Sequence, residues 1–393
     1  MEQNNNKLSS NEIARYSRHI ILPEVGVEGQ EKLKKVRMLV VGMGGLGSPS
    51  SLYLAAAGVG TLGLAEFDQI EEHNLQRQIL HHRSDIGKLK INSAEDKLKA
   101  INPDCKLVLH REGITFDNAL EILSLYDMVI DGSDNLPTRY LVNDAAFFVG
   151  IPYIYGSIFK FEGQVSIFDS KAGGPNYRCL FPEMPDPKTV PSCEEAGVFG
   201  ALCGLIGSLQ AMEAIKYHLK IGESLLGRLL VIDAVTMNFR TLKLKHDPQC
   251  PLSGDCPTIT KLEASNYEYS CDIPIEKDII NGESESKLPI EVDVVQVKAI
   301  LDSDIKAYLL DVREDFEVEI CKLDSSHSIP MRTVAEHIDR IPRDLPVVVY
   351  CHRGMRSLKV VNFLRDKGFD NVTSMVGGIA AWADQYEPEM VRY

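Results

Sequence analysis

The chain has 393 residues, 44% of them hydrophobic and 25% charged, an ordinary globular composition with length for two or three domains that fold without disulfides or metal. With 42 Lys and Arg against 56 Asp and Glu the net charge is −14, which repels nucleic acid and anionic membrane but allows a locally positive pocket. The polar Met1–Glu12 lacks the apolar core of an export signal, no run of about 18 apolar residues occurs, and nine cysteines are thinly spread. A reducing, cytoplasmic setting is expected, with no nucleic-acid and no membrane partner.

Ala14–Ile21 has helical spacing. Lys35–Val41 is a short apolar run that reads as a buried parallel strand, Pro49–Ala57 as a helix and Gly60–Glu66 as a second strand, together one βαβ unit. Leu107–His110 and Met128–Asp131 read as further strands, with helical Lys90–Ala100 and Ala119–Leu125 around them. The alternation predicts an α/β fold with a Rossmann-like doubly wound parallel sheet. The pattern then changes to paired strands, Tyr153–Ile158 and Gly163–Phe168, with Glu162-Gly163 at the bend. Lys171–Glu195 is a long Pro- and Gly-rich stretch, of a length that is usually functional or mobile. Gly200–Leu219 predicts a helix; Leu230–Asp233 and Phe239–Lys243 predict late strands.

These elements define a first domain over residues 1–256. Residues 257–287 lose the rhythm and read as a linker, solvated by composition at Asn281–Lys287. Residues 288–393 resume the alternation with strands Ala307–Asp311 and Val347–Tyr350 and a helix Ser357–Lys367, a second, small α/β domain.

Gly42-Met43-Gly44-Gly45-Leu46-Gly47 matches G-x-G-x-x-G between a strand and a helix, where glycines let the backbone approach phosphates and the helix start offers amides. Glu66 ends the next strand, at the distance of a carboxylate that binds ribose hydroxyls. Parallel strands bring their C-terminal loops to one edge. Asn74, Arg77, Gln78, Lys90, Asp134 and Asn135 can therefore converge on the Gly-rich turn. Arg77 and Lys90 suit polyphosphate, and Asp134 suits Mg²⁺. Hydride transfer needs neither two cations nor a metal ligand, which disfavours an NAD site. Taken singly, Arg77 or Lys90 reads as a solvated surface charge and Asp134 as a helix N-cap.

The run Gly42–Gly47, Asn74–Gln78, Lys90 and Ser133-Asp134-Asn135 resembles the MoeB/ThiF family, relatives of the ubiquitin-activating enzymes. Arg15-Tyr16-Ser17-Arg18 and Ser208–Ala214 resemble its N-terminal Arg-Tyr motif and its late helix. The resemblance, from about Arg15 to Asp247, implies ATP with Mg²⁺, adenylation of the C-terminal glycine of a ubiquitin-like protein, and a homodimer in which Arg15 reaches the partner's ATP site. Many members hold zinc with two Cys-x-x-Cys pairs. Here those positions read Asn176-Tyr177-Arg178-Cys179 and Cys250-Pro251-Leu252-Ser253, so zinc is expected to be absent. Family members often carry a cysteine where Cys193 stands, able to bond covalently to the carrier or the sulfur donor; the alternative is an unreactive loop cysteine.

In the second domain, strand Val347–Tyr350 runs into Cys351-His352-Arg353-Gly354-Met355-Arg356-Ser357 and then a helix. Successive amides and the helix dipole at such a junction stabilise thiolate and persulfide anions. Four residues separate Cys351 from Arg356, a tighter nest than the five-residue spacing of phosphatase loops and one sized for sulfur. This resembles the rhodanese sulfurtransferases, whose flanking motifs match Leu309–Glu314 and Gly377–Trp382; Asp311 reads as structural.

The fused order implies one enzyme that adenylates a ubiquitin-like sulfur carrier (MoaD/ThiS type) and then delivers sulfur to it from a Cys351 persulfide. The persulfide would be loaded by a donor such as a cysteine desulfurase. Molybdenum-cofactor, thiamine, cysteine-synthesis and tRNA-thiolation carriers are all open. The rivals are an NAD-dependent oxidoreductase with a rhodanese sensor, and an adenylating relative directed at tRNA.

Overall fold

The computed structural model describes residues 7–185, 197–267, 288–303 and 306–393. The chain forms two compact units, 1–272 and 273–393.

The first unit is built on an eight-stranded sheet. Its strands are β1 (Arg37–Val41), β2 (Thr61–Ala65), β3 (Lys106–His110), β4 (Met128–Asp131), β5 (Tyr153–Phe159), β6 (Glu162–Phe168), β7 (Arg228–Asp233) and β8 (Asn238–Lys243), in the order β3-β2-β1-β4-β5-β6-β7-β8. The β3 to β5 half is parallel, as the alternation predicts, and β5 to β8 run antiparallel, so the sheet is mixed. Strand β1 is almost wholly apolar because it feeds two cores: Met38 and Val40 join one cluster, Leu39 and Val41 the other. The helix Gly200–Leu219 lies against the helix Gly47–Ala57, and Gly207 permits the approach, since a Cβ there would meet the Leu46 carbonyl at 2.5 Å.

Three local expectations change. Ala14–Ile21 is two short helices, Ser10–Arg15 and Ser17–Ile20, broken at Tyr16. The β5–β6 turn sits at Lys160, with φ 56°, and not at Glu162-Gly163. Gly163 is a strand residue whose bare backbone makes room for Ile206, whose Cδ1 would lie 2.4 Å from a Cβ. Within the expected linker, Tyr267 is buried and donates its hydroxyl to Asp144 (2.9 Å), so the chain through 267 packs on the first unit. Asn281–Lys287 lies outside the described residues.

The second unit is a five-stranded parallel sheet, β11-β10-β12-β13-β9, from β9 (Glu291–Val292), β10 (Tyr308–Asp311), β11 (His327–Ser328), β12 (Val347–Tyr350) and β13 (Val372–Met375). Alternate residues of the central β12 again split, Val347 and Val349 to one core, Val348 and Tyr350 to the other. Among the described residues no helix is long and apolar enough to cross a membrane.

Two candidate active sites

The first site lies at the carboxyl ends of β1, β2 and β4. Gly42 turns the chain out of β1 at φ 83°, and a Cβ at Gly47 would lie 1.7 Å from the Gly42 carbonyl. Both positions demand glycine, and the turn opens the helix Gly47–Ala57 toward the cleft. One half of the cleft is lined by Gly42, Gly44, Glu66, Asp68, Lys90, Asp134 and Asn135, among others. The other half shares Gly44, Ser133 and Asp134 and adds Gly45, Arg77, Gln78 and Cys203.

Each side chain has a local reason for its place. Glu66 accepts hydrogen bonds from the amides of Met43 (2.9 Å), Phe67 (2.8 Å) and Asp68 (2.9 Å), so it braces the Gly-rich turn and is left with about one of a carboxylate's four acceptor sites. Lys90 is no solvated surface charge: its side chain is 7% exposed and its ammonium pairs with Asp68 at 2.9 Å. Arg77 donates to the His73 carbonyl at 3.1 Å. Asn135, not Asp134, is the N-cap of the helix Leu136–Val149, accepting from the Thr138 amide at 2.9 Å. Asp134 is therefore left exposed, and among the described residues its one hydrogen bond is from the Asn135 side-chain amide at 3.5 Å. An exposed carboxylate beside the Gly-rich turn is the kind of ligand Mg²⁺ takes, one or two carboxylates with water and phosphate oxygens completing the shell.

Three of the predicted nucleotide residues stand apart from the cleft lining: Gly47, packed against the Gly42 carbonyl, Asn74 and Arg15. Asn74 is buried and shapes the preceding turn, its Oδ1 accepting from the Glu71 amide at 3.1 Å. Arg15 is exposed and donates to the Ile101 carbonyl at 2.9 Å, and it does not line the cleft.

Sequence reasoning missed the supports. The buried Asp131 accepts from Ser133 Oγ (2.6 Å), Tyr153 (2.6 Å) and Arg139 (3.3 Å), and Arg139 also donates to the Ser133 carbonyl (3.0 Å), fixing the loop that presents Asp134. His81 donates from Nε2 to the Met43 carbonyl at 3.0 Å. Burial holds its pKa below the ordinary value, so the imidazole is neutral there.

The positions of the two Cys-x-x-Cys pairs do converge. Asn176 donates from Nδ2 to Ser253 Oγ (2.7 Å) and to Cys250 Sγ (3.5 Å), and Ser253 Oγ lies 3.9 Å from Cys179 Sγ. Hydrogen bonding between the two thiols pushes Cys250 down and Cys179 up. An amide and a hydroxyl stand where two thiolates would be, and these donors do not fit a tetrahedral zinc site. Cys193 lies outside the described residues.

The second site follows β12. Cys351 Sγ accepts from the Gly354 amide at 3.1 Å and from Ser357 Oγ at 3.6 Å, at the start of the helix Met355–Asp366. The first amides of the helix Gly378–Gln385 bind the loop from behind: Ile379 N donates to the Cys351 carbonyl (2.9 Å) and Ala380 N to that of His352 (3.1 Å). A Cβ at Gly378 would meet both carbonyls at 2.4 Å, which explains the Gly-Gly pair. Asp311 is structural, in a fully buried ion pair with Arg313 at 2.6 Å. Arg356 is held bidentate by Glu317, at 2.5 and 2.7 Å. Tyr393 joins the two pairs, accepting from Arg313 (2.6 Å) and donating to Glu317 (3.1 Å), and its ring stacks on His352 at 4.5 Å. Neither Glu317 nor Tyr393 carries a motif that sequence could single out.

Comparison with known proteins identifies both units. Residues 16–252 match the ThiF family and residues 293–385 the rhodanese-like domain. The chain is 44% identical over 391 residues to the Mycobacterium tuberculosis "Probable adenylyltransferase/sulfurtransferase MoeZ", covering 98% of this chain and 96% of that one. It is 41% identical over 401 residues to the Aedes aegypti "Adenylyltransferase and sulfurtransferase MOCS3", covering 99% and 90%. The fold resembles Escherichia coli MccB crystallised with MccA-N7isoASN (TM-score 0.54, 23% identity, covering 61% of this chain and 75% of that one). These full-length relatives do not favour the NAD-dependent alternative. The chain belongs to the ThiF family, in the form fused to a rhodanese-like domain, and is an adenylyltransferase and sulfurtransferase.

Proposed function

We propose that the first cleft binds ATP and adenylates the C-terminal glycine of a ubiquitin-like sulfur carrier. The supporting observation is the convergence of the Gly-rich turn, Glu66, Lys90, Arg77 and the uncapped Asp134 in one cleft. A carboxylate is a poor electrophile, so the reaction must first supply a leaving group. The carrier's carboxylate oxygen attacks the α-phosphorus, pyrophosphate leaves, and an acyl-adenylate remains. The enzyme's work is to align two anions and offset the developing charge, which Lys90 and Arg77 are placed to do. Asp134 would hold Mg²⁺, which supplies further charge neutralisation on the phosphates. No general base is needed, in keeping with a neutral His81 that only braces the turn.

In the second site, Cys351 carries a persulfide loaded by a donor such as a cysteine desulfurase. Its terminal sulfur attacks the acyl carbon and AMP leaves, giving an acyl disulfide. A second thiolate, for which Cys193 is the candidate, attacks the Cys351 sulfur and releases the carrier thiocarboxylate. The resulting disulfide is then reopened by a thiol reductant. The enzyme works as a cytoplasmic homodimer with Arg15 completing the partner's ATP site, and without zinc. The test is mass spectrometry of candidate carriers after incubation with ATP and a persulfide donor. The true carrier exchanges one terminal oxygen for sulfur, and a failure of every ubiquitin-like carrier to do so refutes the reading.

A further inference from the structure

Gln78 lies in the half of the cleft lined by the apolar Leu46, Ile158 and Val198 and by the charged Arg77, Asp134 and Arg139. The residue is 3% exposed, yet its Oε1 has no hydrogen-bond partner among the described residues. Its Nε2 faces Gly44, 3.7 Å from where a Cβ would stand. A buried acceptor left unpaired is unfavourable, and such groups in folded proteins call for an explanation. Here the group borders a site where two substrates must meet.

ATP is the wrong partner. The triphosphate that must lie along Gly44 and Gly45 offers only acceptors, and an acceptor cannot satisfy a carbonyl oxygen. The nucleoside end belongs with Glu66, in the other half of the cleft. The carrier's tail, by contrast, brings a donor. The amide N–H of a C-terminal glycine is two covalent bonds behind the carboxyl carbon whose oxygen attacks the α-phosphorus. A tail that delivers its carboxylate to the turn therefore carries that N–H into the half where Gln78 waits. Beside the Asp134 carboxylate, Gln78 Oε1 is an acceptor in this half that is left unpaired among the described residues and can take that N–H.

We infer that Gln78 accepts, through Oε1, the backbone N–H of the carrier's C-terminal glycine, and so selects a secondary amide at that position. The inference rests on the carrier-adenylating reading, and it moves Gln78 from the nucleotide to the carrier. When the tail is in place the buried acceptor is satisfied; a tail without the N–H leaves it unpaired, which is the most discriminating kind of polar recognition.

The experiment uses the full chain and two forms of one ubiquitin-like sulfur carrier, ending in glycine or, by ligation, in N-methylglycine. The readout is ATP–pyrophosphate exchange. The wild-type enzyme is expected to show about a tenfold higher KM for the N-methyl carrier, with the KM for ATP within about twofold. Gln78→Met keeps the side-chain length and removes the acceptor. It is expected to raise the KM for the natural carrier about tenfold and to erase the discrimination between the two forms. Equal use of both carriers by the wild type overturns the inference without any variant, as does a Gln78→Met defect confined to ATP. Absence of exchange with the natural carrier overturns the carrier-adenylating reading and this inference with it.

Discussion

Lys90→Ala isolates the electrostatic part of adenylation. The Lys90 side chain is 7% exposed, and its partner Asp68 is 48% exposed. Removing the ammonium leaves Asp68 in contact with water, so the carboxylate is rehydrated and the cost to folding stays below about 1 kcal/mol. In a unit of this size that lowers Tm by no more than about 2–4 °C. The cost to chemistry is larger, because the cation is held in place before the reaction and need not reorganise as charge builds on the phosphates. Loss of one such preorganised partner is worth about 2.7–4 kcal/mol, or about a hundredfold to a thousandfold in rate. Carrier-dependent ATP–pyrophosphate exchange, beside a thermal melt, measures both. Unchanged exchange would remove Lys90 from the active site. A melt lowered by far more than a few degrees would make it a folding residue instead.

Cys351→Ala should abolish persulfide and thiocarboxylate formation while carrier adenylation stays near normal, since adenylation uses only the first unit's cations; thiocarboxylate made at the normal rate from a persulfide donor would exclude Cys351. Metal analysis of the native chain should find far less than one zinc per chain, and Asn176→Cys with Ser253→Cys should create a tightly held zinc; stoichiometric native zinc lost on Cys250→Ala refutes both. Burial depresses the His81 pKa in the folded state from 6.5. Above that value both folded and unfolded forms are neutral and the stability is fully present; below it the unfolded chain takes up a proton first, so stability falls with pH. Urea midpoints at about pH 7.5 and about pH 5.5 should therefore differ less in His81→Gln than in the parent, and an unchanged difference refutes the assignment.

What sequence made legible was whatever chemistry is local. The Gly42 turn and the crowded Gly47 are constraints of a few bonds, so glycine spacing reports them directly. The convergence of Lys90 and Asp134 followed from the parallel half of the sheet, which sends every βα loop to one edge. Long-range pairing was not legible. Asp68 meets Lys90 from 22 residues away, Glu317 meets Arg356 from 39, and Tyr393 meets Arg313 from 80. Nothing in spacing announces such partners. Glycine is a false marker for the β5–β6 turn, since Lys160 adopts the positive φ and Gly163 is needed for packing. Asn135 and Asp134 are adjacent, both able to cap, and only the fold settles which carboxyl or amide is spent on the helix.

That last distinction has a counterpart in the sulfur site. Arg356 closes the loop that begins at Cys351, yet its guanidinium is held bidentate by Glu317. A paired Arg and Glu present little net charge to a sulfur atom, and Tyr393 steadies the pair by donating to the same carboxylate. The groups aimed at the sulfur are the Gly354 amide, 3.1 Å from Sγ, and the Ser357 hydroxyl at 3.6 Å. Fixed amides at a helix start act without side-chain reorganisation and without the desolvation cost of an unpaired cation. A persulfide on Cys351 would therefore meet the Gly354 amide and the Ser357 hydroxyl, in a loop held by the helix Gly378–Gln385 through the carbonyls of Cys351 and His352. The short Cys351–Arg356 spacing matters because it closes this nest, with the arginine as its outer brace.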